Sequence, residues 1–534
     1  MQVNRSHRLS AMFKVIISLT FMFYCFLLVV KSIAGFPASP QTQSFWPWLG
    51  DRPVGEDGFY MLTVAYNYAA THKFVYNRGM PATGVQPLGT LIFTGIAEIV
   101  RHFSLDRWTF VRSIIAFDSI LFVLFAWIIS TLASGFVTLS RRDLVSNIAF
   151  VLILSDFSLF RLFTYGLETG VYLCLLTACF ALWQILMEAE RAKWATVLLF
   201  GVAAGFTGLA RIDFGLCFAV LLLFLMIKRK GTLAQVIAAG TIALICVSPW
   251  FIFIHRASGK WLPSSGGAES SLINNQDALG RLYVMLMAII THLIPWSGAG
   301  FMVVPTDLLV LISIVILIPA CIGIHGAGEG GQRESRFSNT LIPWLLSFIA
   351  LAVAYVLFFW STHFYTRYLA PTVIITVPLL AVALSKSSFV QQRPSVIYSV
   401  LFAIFCVFDF KSLHSHRPHE SQFMMASYIN RWYPDSRVAA FQSGTVGFFN
   451  PNVMNIDGKL NDKALEAARE RKLPEYLDGQ DVDIIIDWPM YIDRLPENYR
   501  SLTYQTCPQA TPDLGANDPT GRERIICIIR KAHN

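Results

Sequence analysis

Apolar runs about 20 residues long recur from the N terminus to about residue 410, and each can cross the roughly 30 Å of bilayer hydrocarbon. Backbone polar groups in lipid must be satisfied internally, so these runs predict helices. Only 14% of the 534 residues are charged and 54% are hydrophobic, whereas soluble domains average about 25% charged residues. The sequence therefore predicts an integral multi-pass membrane protein. It excludes an ordinary cytosolic enzyme, a disordered chain and a nucleic-acid binder.

The runs predict about 11 to 13 membrane spans. The first run, 12–34, is too long for the apolar core of a signal peptide, so we expect an uncleaved helix with a cytoplasmic N terminus. Arg141 and Arg142 break the alternation of sides, so one early run is expected to be re-entrant or split. Basic loop residues that predict the cytoplasmic side are Arg101, Arg107, Arg191, Lys193 and the cluster 228–230. The later runs are 88–104, 110–138, 144–164, 170–188, 194–210, 213–228, 233–254, 282–297, 303–324, 340–360, 367–385 and 394–410.

The composition changes after Lys411, where charges, prolines and turn residues replace the long apolar runs. The pattern predicts a helix over 462–471 and strands over 482–486 and 525–529. Residues 411–534 are thus expected to form a small soluble α/β domain behind a membrane domain of residues 1–410. Cys507 and Cys527 lie in this part, where they either pair in an oxidising compartment or remain two unrelated thiols. No cysteine or histidine spacing indicates a zinc or iron-sulfur site.

An acidic turn stands out in the long first loop, residues 35–87. Glu56 and Asp57 lie between glycines, directly before an amphipathic stretch. A carboxylate held there can accept the proton of a hydroxyl that attacks an electrophile. The alternative is a solvated turn whose acid caps a helix and favours its dipole.

Several ionisable residues lie within apolar surroundings, where a charge is costly and often marks a cavity or a paired site. They are Glu168, Arg211, Asp213, His363 and Arg367. Each is also near a predicted helix end, from which a long side chain can reach the interface. A convergence of several of them in space would favour a site over this structural interpretation.

A short basic loop follows the run 233–254. Its Arg256 and Lys260 stand beside aromatic residues, and they either bind a phosphate through charge-assisted hydrogen bonds or simply flank the membrane. The chain has no phosphate-cradling P-loop, dinucleotide fingerprint, nucleophile elbow or HExxH helix. This argues against ATP-driven transport, nicotinamide chemistry and the commonest hydrolases.

Short motifs follow one another in a definite order. The first loop carries Glu56-Asp57, Tyr60, Asn67, Asn77-Arg78-Gly79 and Gln86-Pro87-Leu88. Further along are Gly166-Leu167-Glu168-Thr169, Ala210-Arg211-Ile212-Asp213, Arg367-Tyr368 with Pro371, and the stretch 455–462. In order and spacing these resemble the GT-C superfamily of integral membrane glycosyltransferases, which use polyprenyl-phosphate sugars, and most closely its arabinofuranosyl- and mannosyltransferase-like members.

The resemblance implies a mainly α polytopic bundle of GT-C type with a small α/β C-terminal domain. It implies transfer of a sugar, with inversion, from a polyprenyl-phosphate donor to a hydroxyl of an extracytoplasmic glycan, lipid or protein acceptor. The protein would lie in a bacterial inner or plasma membrane, with the lipid bilayer and the lipid-linked sugar as its partners. Its active site would face the extracytoplasmic side. No cofactor is certain, and a divalent metal at Glu56 and Asp57 stays open.

The resemblance also assigns roles to residues. Asp57 or Glu56 would be the general base, and Arg367, with Lys260 or Arg256, would bind the donor phosphate. Residues expected to contact substrate are Tyr60, Asn67, Gln86, Glu168, Arg211, Asp213, His363 and Tyr365.

Two other functions compete with this assignment. In a transporter or flippase of lipid-linked sugars, the intramembrane charges would line a transport route, but the chain has no internal repeat of the kind such proteins commonly show. In the other alternative, the C-terminal part is a binding module on an inactive membrane anchor.

Overall fold

The computed structural model describes residues 2–31, 53–228, 231–271, 277–293, 331–359, 362–412, 420–509 and 524–531. Helices dominate up to residue 412, and a five-stranded sheet with short helices follows. The helices of the first part are α1 Gln2–Lys31, α2 Glu56–Thr71, α3 Pro87–His102, α4 Arg107–Ser134, α5 Arg142–Leu154, α6 Phe157–Thr164, α7 Thr169–Glu188, α8 Trp194–Ala210, α9 Phe214–Ile227, α10 Leu233–Ser258, α11 Ser264–Ser271, α12 Ala278–Leu293, α13 Gly331–Phe358, α14 Tyr365–Leu369, α15 Val373–Ser385, α16 Ser388–Gln392 and α17 Pro394–Ser412.

Among the described residues, five segments are long and apolar enough to cross a membrane. A sixth arises if Leu139–Leu154 and Ser158–Thr164, bent by 64° at their junction, form one broken span. The chain is therefore an integral multi-pass membrane protein. The five are Arg107–Ser134, Thr169–Glu188, Leu233–Ser258, Asn339–Phe358 and Tyr365–Ser385, and the shorter apolar helices are Ser10–Phe26, Trp194–Ala210, Phe214–Ile227, Ala278–Ile289 and Pro394–Ala403. The count of about 11 to 13 spans stays a prediction, and the run 303–324 lies outside the described residues.

The prediction that run 88–104 spans the membrane is wrong. Helix α3 covers this run, is only 16 residues long, exposes Glu98 and Arg101, and is not among the span-forming helices. It packs against α2 instead. Because α3 does not cross, Arg141 and Arg142 no longer break the alternation of sides.

Arg101 and Arg107 were predicted to mark the cytoplasmic side and the first loop the extracytoplasmic side, but the contacts of both arginines are incompatible with opposite sides. The Arg107 guanidinium donates a hydrogen bond to the carbonyl of Phe448, in the C-terminal part of the chain. Arg101 stacks on Tyr66 of α2, with 5.0 Å between its guanidinium carbon and the ring centroid. Both arginines thus lie with the first loop and the C-terminal part.

Small residues bring neighbouring membrane helices into close contact. A methyl group added at Gly201 of α8 would lie 2.7 Å from the Ala239 carbonyl oxygen of α10, and one at Gly205 would lie 2.5 Å from Cys246. Such close backbone approach is how helices associate in lipid, where no hydrophobic force drives them together. The α8–α10 pair therefore forms a tightly packed unit of the bundle.

The C-terminal region, residues 420–509 and 524–531, is an α/β unit as predicted. Its sheet has the strand order β2-β1-β3-β5-β4, in which β1 is parallel to β2 and β3, and β5 is antiparallel to β3 and β4. Its strands are β1 Val438–Ala440, β2 Val453–Asn455, β3 Ile484–Asp487, β4 Tyr504–Thr506 and β5 Ile526–Arg530. Its helices are α18 Glu420–Trp432, α19 Gly444–Phe449, α20 Asp462–Arg469, α21 Leu473–Gly479, α22 Pro489–Ile492 and α23 Glu497–Thr503.

Of the two alternatives for Cys507 and Cys527, the structure has the disulfide. The amide of Cys507 donates to the carbonyl of Cys527 at 3.1 Å, directly beyond the β4–β5 pairing. The bond joins residues 20 apart in the sequence. It therefore restricts the conformations that this segment can adopt in the unfolded chain.

The first loop holds the C-terminal region against the membrane helices. Phe59 of α2 is fully buried and packs on Phe423 and Phe448, with ring centroids 5.6 and 5.2 Å away. The Asn77 side-chain amide donates to three backbone carbonyls around β2, the nearest being Gly447 at 2.8 Å. Tyr76 Oη donates to the Ser443 carbonyl at 2.7 Å. These buried polar contacts fix the orientation of the two parts.

This topology predicts the labelling of single cysteines by a membrane-impermeant thiol reagent. Leu105→Cys, before α4, and Met490→Cys, in α22, should react from the same side of sealed vesicles. Leu139→Cys, beyond α4, should react only after permeabilisation. All three side chains are exposed, and wild-type protein measures the background. Labelling of both Leu105→Cys and Leu139→Cys in sealed vesicles, from the same side, would contradict the topology.

Candidate active site

A cavity of about 1010 Å³ lies where the first loop, the membrane helices and the C-terminal region meet. One part of its wall is apolar and includes Met61, Leu167, Ile212, Phe358 and Phe359. The rest is strongly charged. Among the described residues its basic side chains are Arg211, Lys260, Arg367, Lys459 and Arg469, and its acidic ones are Asp57, Glu168, Asp213, Glu269 and Asp462. The cavity can therefore accommodate a molecule with an apolar portion and an ionic headgroup.

Asp57 lies in the first turn of α2 and faces this cavity. Its Oδ1 is 2.9 Å from Lys459 Nζ and its Oδ2 is 3.4 Å from Arg367 Nη1. Gly58 allows this placement, because a methyl group there would lie 2.0 Å from the Tyr165 carbonyl oxygen. The two cations therefore fix the orientation of the Asp57 carboxylate.

Glu56 points away from the cavity, although it precedes Asp57 directly. Its carboxylate accepts hydrogen bonds from the Thr445 amide at 2.9 Å, the Thr445 hydroxyl at 2.8 Å and the Gly444 amide. Burial raises the pKa of Glu56 to about 7, although the Thr445 and Gly444 donors favour the charged form. Glu56 therefore joins α2 to α19 of the C-terminal region and does not line the cavity.

Lys459 is one of the side chains that the C-terminal region contributes to the cavity. Its ammonium bridges Asp57 of α2 and Glu269 of α11, the second contact being 3.2 Å long. Burial lowers the pKa of Lys459, but Asp57 and Glu269 more than offset this and raise it well above its ordinary value. The Lys459 carbonyl accepts from Ser264 Oγ at 2.6 Å and lies so close to Gly84 that a methyl group there would be 1.9 Å from it. The backbone of this residue is thus fixed between the first loop and α11.

A second ionic group forms the wall between α8 and α13. Arg211 donates to both carboxylate oxygens of Asp213, at 3.2 and 2.5 Å, and to the Tyr355 hydroxyl at 3.1 Å. The Tyr355 hydroxyl in turn donates to Asp213. Among the described residues, the buried Arg211 Nη1 has no hydrogen-bond partner. Glu168 lines the same wall and interacts electrostatically with Arg211 and Arg367.

A charged part of the cavity wall lies between α11 and α20. Lys260 Nζ is 3.4 Å from Asp462 and 2.8 Å from Glu466, and about a third of its side chain is exposed. Arg469 donates to the Gly267 carbonyl at 2.8 Å. Lys260 is therefore held by acids of the C-terminal region, whereas Arg256 in the last turn of α10 is not among the lining residues.

The cavity brings together eight of the side chains singled out from the sequence, which are Asp57, Tyr60, Gln86, Glu168, Arg211, Asp213, Lys260 and Arg367. Glu56, Arg256, Asn67 and Tyr365 do not line it. Asn67 donates to the Val75 carbonyl at 3.3 Å, and Tyr365 donates to the Phe359 carbonyl at 2.7 Å, so both hold local backbone. His363 lies in the turn Thr362–Phe364, and its side chain lies outside the described part of the structure.

Sequence reasoning assigned no role to several lining residues, among them Lys459, Glu269 and Tyr355. Lys459 lies inside the motif 455–462, which indicated this region of the chain but did not identify Lys459 as a site residue. Glu269 is the single acid of a Ser- and Gly-rich stretch, and Tyr355 lies within an apolar run. Neither pattern distinguishes a site residue from a structural one.

The acid pair does not fit a divalent metal. The Glu56 carboxylate is occupied by amide and hydroxyl donors, and the Asp57 carboxylate faces two cations. Among the described residues, no group of three or more potential ligands lies together.

No protein-family model matches the chain, and no curated protein matches it. Several solved structures are similar to the chain. ArnT from Cupriavidus metallidurans in the apo state has a TM-score of 0.56 at 11% identity, over 96% of this chain and 97% of that chain. ArnT bound to undecaprenyl phosphate has a TM-score of 0.57 at 12% identity, over 97% and 98% of the two chains. The apo oligosaccharyltransferase of Archaeoglobus fulgidus gives 0.48 at 12% identity, over 88% of this chain and 69% of that one.

This chain is thus a multi-pass membrane protein with the GT-C fold, with a helical membrane part followed by a small α/β unit. That fold is shared over nearly its whole length with ArnT from Cupriavidus metallidurans. The resemblance drawn from the sequence motifs is confirmed for the fold.

The buried carboxyl of Glu56 predicts a pH-dependent stability. Folding raises the pKa of Glu56 from 4.5 to about 7. The contribution of the neutral Glu56 carboxyl to the free energy of unfolding is therefore fully present below about pH 4.5 and is lost as the pH rises through 7. The loss amounts to roughly 3 kcal/mol of unfolding free energy. Glu56→Gln keeps an acceptor oxygen but cannot ionise, so its melting temperature relative to wild type should rise between about pH 5 and about pH 8. A difference that does not change with pH would contradict this assignment.

Proposed function

We propose that this protein is a membrane glycosyltransferase of GT-C type, which transfers a sugar from a polyprenyl-phosphate donor to a hydroxyl of a glycan, lipid or protein acceptor. The observation that carries the proposal is the ionic triad of Asp57, Arg367 and Lys459 in a cavity with one apolar wall. A possible base and two phosphate-binding cations are then within one hydrogen-bonding network. The apolar wall suits the isoprenoid chain, which can remain in contact with lipid.

In the proposed reaction, the acceptor hydroxyl attacks the anomeric carbon of the donor sugar. The bond from that carbon to the phosphate oxygen breaks, its electron pair goes to the phosphate, and the hydroxyl proton goes to Asp57. General-base assistance of this kind contributes typically about 10² to 10⁴-fold. Attack opposite to the departing phosphate inverts the configuration at the anomeric carbon.

The departing polyprenyl phosphate gains negative charge as the bond breaks. Arg367 and Lys459 supply positive charge at this end of the cavity, and positive groups directed at a developing negative charge stabilise it. The ArnT structure bound to undecaprenyl phosphate has the same fold, which supports a lipid phosphate as the ligand. In this proposal, Arg211, Asp213 and Tyr355 contact the sugar.

We further propose that residues 1–410 form the catalytic membrane domain and residues 411–534 an extracytoplasmic α/β domain. The disulfide between Cys507 and Cys527 supports an oxidising compartment for this domain. A bacterial inner or plasma membrane, with the cavity on its extracytoplasmic side, fits this placement.

The proposal predicts that Asp57→Asn abolishes transfer. The amide keeps the size of the side chain but cannot accept the hydroxyl proton, so we expect kcat to fall by about 10² to 10⁴-fold. The measurement uses purified protein in lipid with a panel of radiolabelled polyprenyl-phosphate sugars and counts label in the acceptor fraction.

The matched control is Asp481→Asn, which removes an aspartate from an exposed pair with Arg437, 2.8 Å apart. This variant should transfer sugar at the wild-type rate. Undiminished transfer by Asp57→Asn would reject Asp57 as the base. Absence of transfer from every donor by the wild-type protein would reject the proposed function.

A further inference from the structure

The cations of the cavity are already engaged by anions or carbonyls. Among the described residues, the cavity has five basic and five acidic side chains. Arg211 pairs with Asp213, Lys260 with Asp462, and both Arg367 and Lys459 with Asp57. An incoming phosphate therefore meets an electrically balanced wall. Adding one more anion to a partly buried site is costly unless a cation changes its partner.

Lys459 and Arg367 are the cations best placed to change partner. Phe364 lies beside both, with its ring centroid 5.1 Å from Lys459 Nζ and 4.6 Å from the Arg367 guanidinium carbon. Two like charges on one ring repel, and the Asp57 carboxylate between them offsets that repulsion. Once Asp57 takes up a proton, another anion is needed in its place.

We propose that Lys459 is a counter-ion that is exchanged between Asp57 and the donor phosphate. This inference rests on the proposed function and adds a regulation to it. In the absence of donor, Lys459 and Arg367 hold Asp57 and occupy its oxygens. The donor phosphate attracts the flexible Lys459 ammonium, and an oxygen of Asp57 becomes available to the acceptor hydroxyl.

The charges of the reaction agree with this exchange. Before transfer, Asp57 and the phosphodiester each carry one negative charge. After transfer, Asp57 is protonated and the polyprenyl phosphate, now a monoester, carries the additional charge. The positive charge of Lys459 therefore follows the negative charge from Asp57 to the phosphate, and the base is not freed before the donor has bound.

Binding of undecaprenyl phosphate tests the exchange. If Asp57 competes with phosphate for Lys459 and Arg367, Asp57→Asn should bind this lipid about tenfold more tightly than wild type, a usual size for coupling between sites. Lys459→Gln should bind it about tenfold more weakly, and Lys459→Arg should restore binding. When Asp57→Asn is combined with Lys459→Gln, the gain in affinity from Asp57→Asn should be largely lost, because Asp57 and Lys459 act on one another. Competition with a fluorescent lipid phosphate in nanodiscs measures these affinities.

The control Asp481→Asn should bind as wild type does. A residue with a merely structural role does not strengthen binding when it is replaced, so equal or weaker binding by Asp57→Asn overturns the exchange while the proposed function stands. If Asp57→Asn does not fold, Glu269→Gln, which removes the other partner of Lys459, should also tighten binding, and no tightening there overturns the exchange. A wild-type protein that binds no lipid phosphate overturns both proposals.

Discussion

One partly buried ionic contact joins the three parts of this structure. Asp57 belongs to the first loop, Arg367 to a membrane helix and Lys459 to the C-terminal region, and their side chains meet at 2.9 and 3.4 Å. Removing one partner from such a group leaves an uncompensated charge, which is far more costly than losing a surface ion pair. The surrounding contacts, including Glu56 with Thr445 and Asn77 with Gly447, bring the three parts close enough for this contact to form.

The two acids of the first loop show how adjacent residues acquire different roles. In a helix, successive side chains point about 100° apart, so Asp57 faces the cavity while Glu56 faces α19. Glu56 is surrounded by amide and hydroxyl donors and holds the C-terminal region, whereas Asp57 faces cations and a cavity large enough for a substrate. Of the two acids, Glu56 is thus structural and Asp57 is the proposed catalytic group.

Much of the architecture could be predicted from the sequence. Long apolar runs specify membrane helices, and the change after Lys411 specifies an α/β unit, because both patterns follow from burial. Run 88–104 was predicted as a span because its apolar residues dominate, but its polar face and its packing on α2 keep it out of the bilayer core. Lys459 and Glu269 escaped prediction because their partners are distant in sequence, and an ion pair made by tertiary folding has no local pattern.

The fold and the cavity agree with transfer from a lipid-linked sugar, and the central claim concerns where the lipid phosphate binds. A cryo-electron microscopy structure with undecaprenyl phosphate addresses this most directly. The account predicts a phosphate within hydrogen-bonding distance of both Arg367 and Lys459, with the isoprenoid chain along the apolar wall and Lys459 withdrawn from Asp57. A phosphate bound outside this cavity, or the Lys459–Asp57 contact retained beside a bound phosphate, would contradict it.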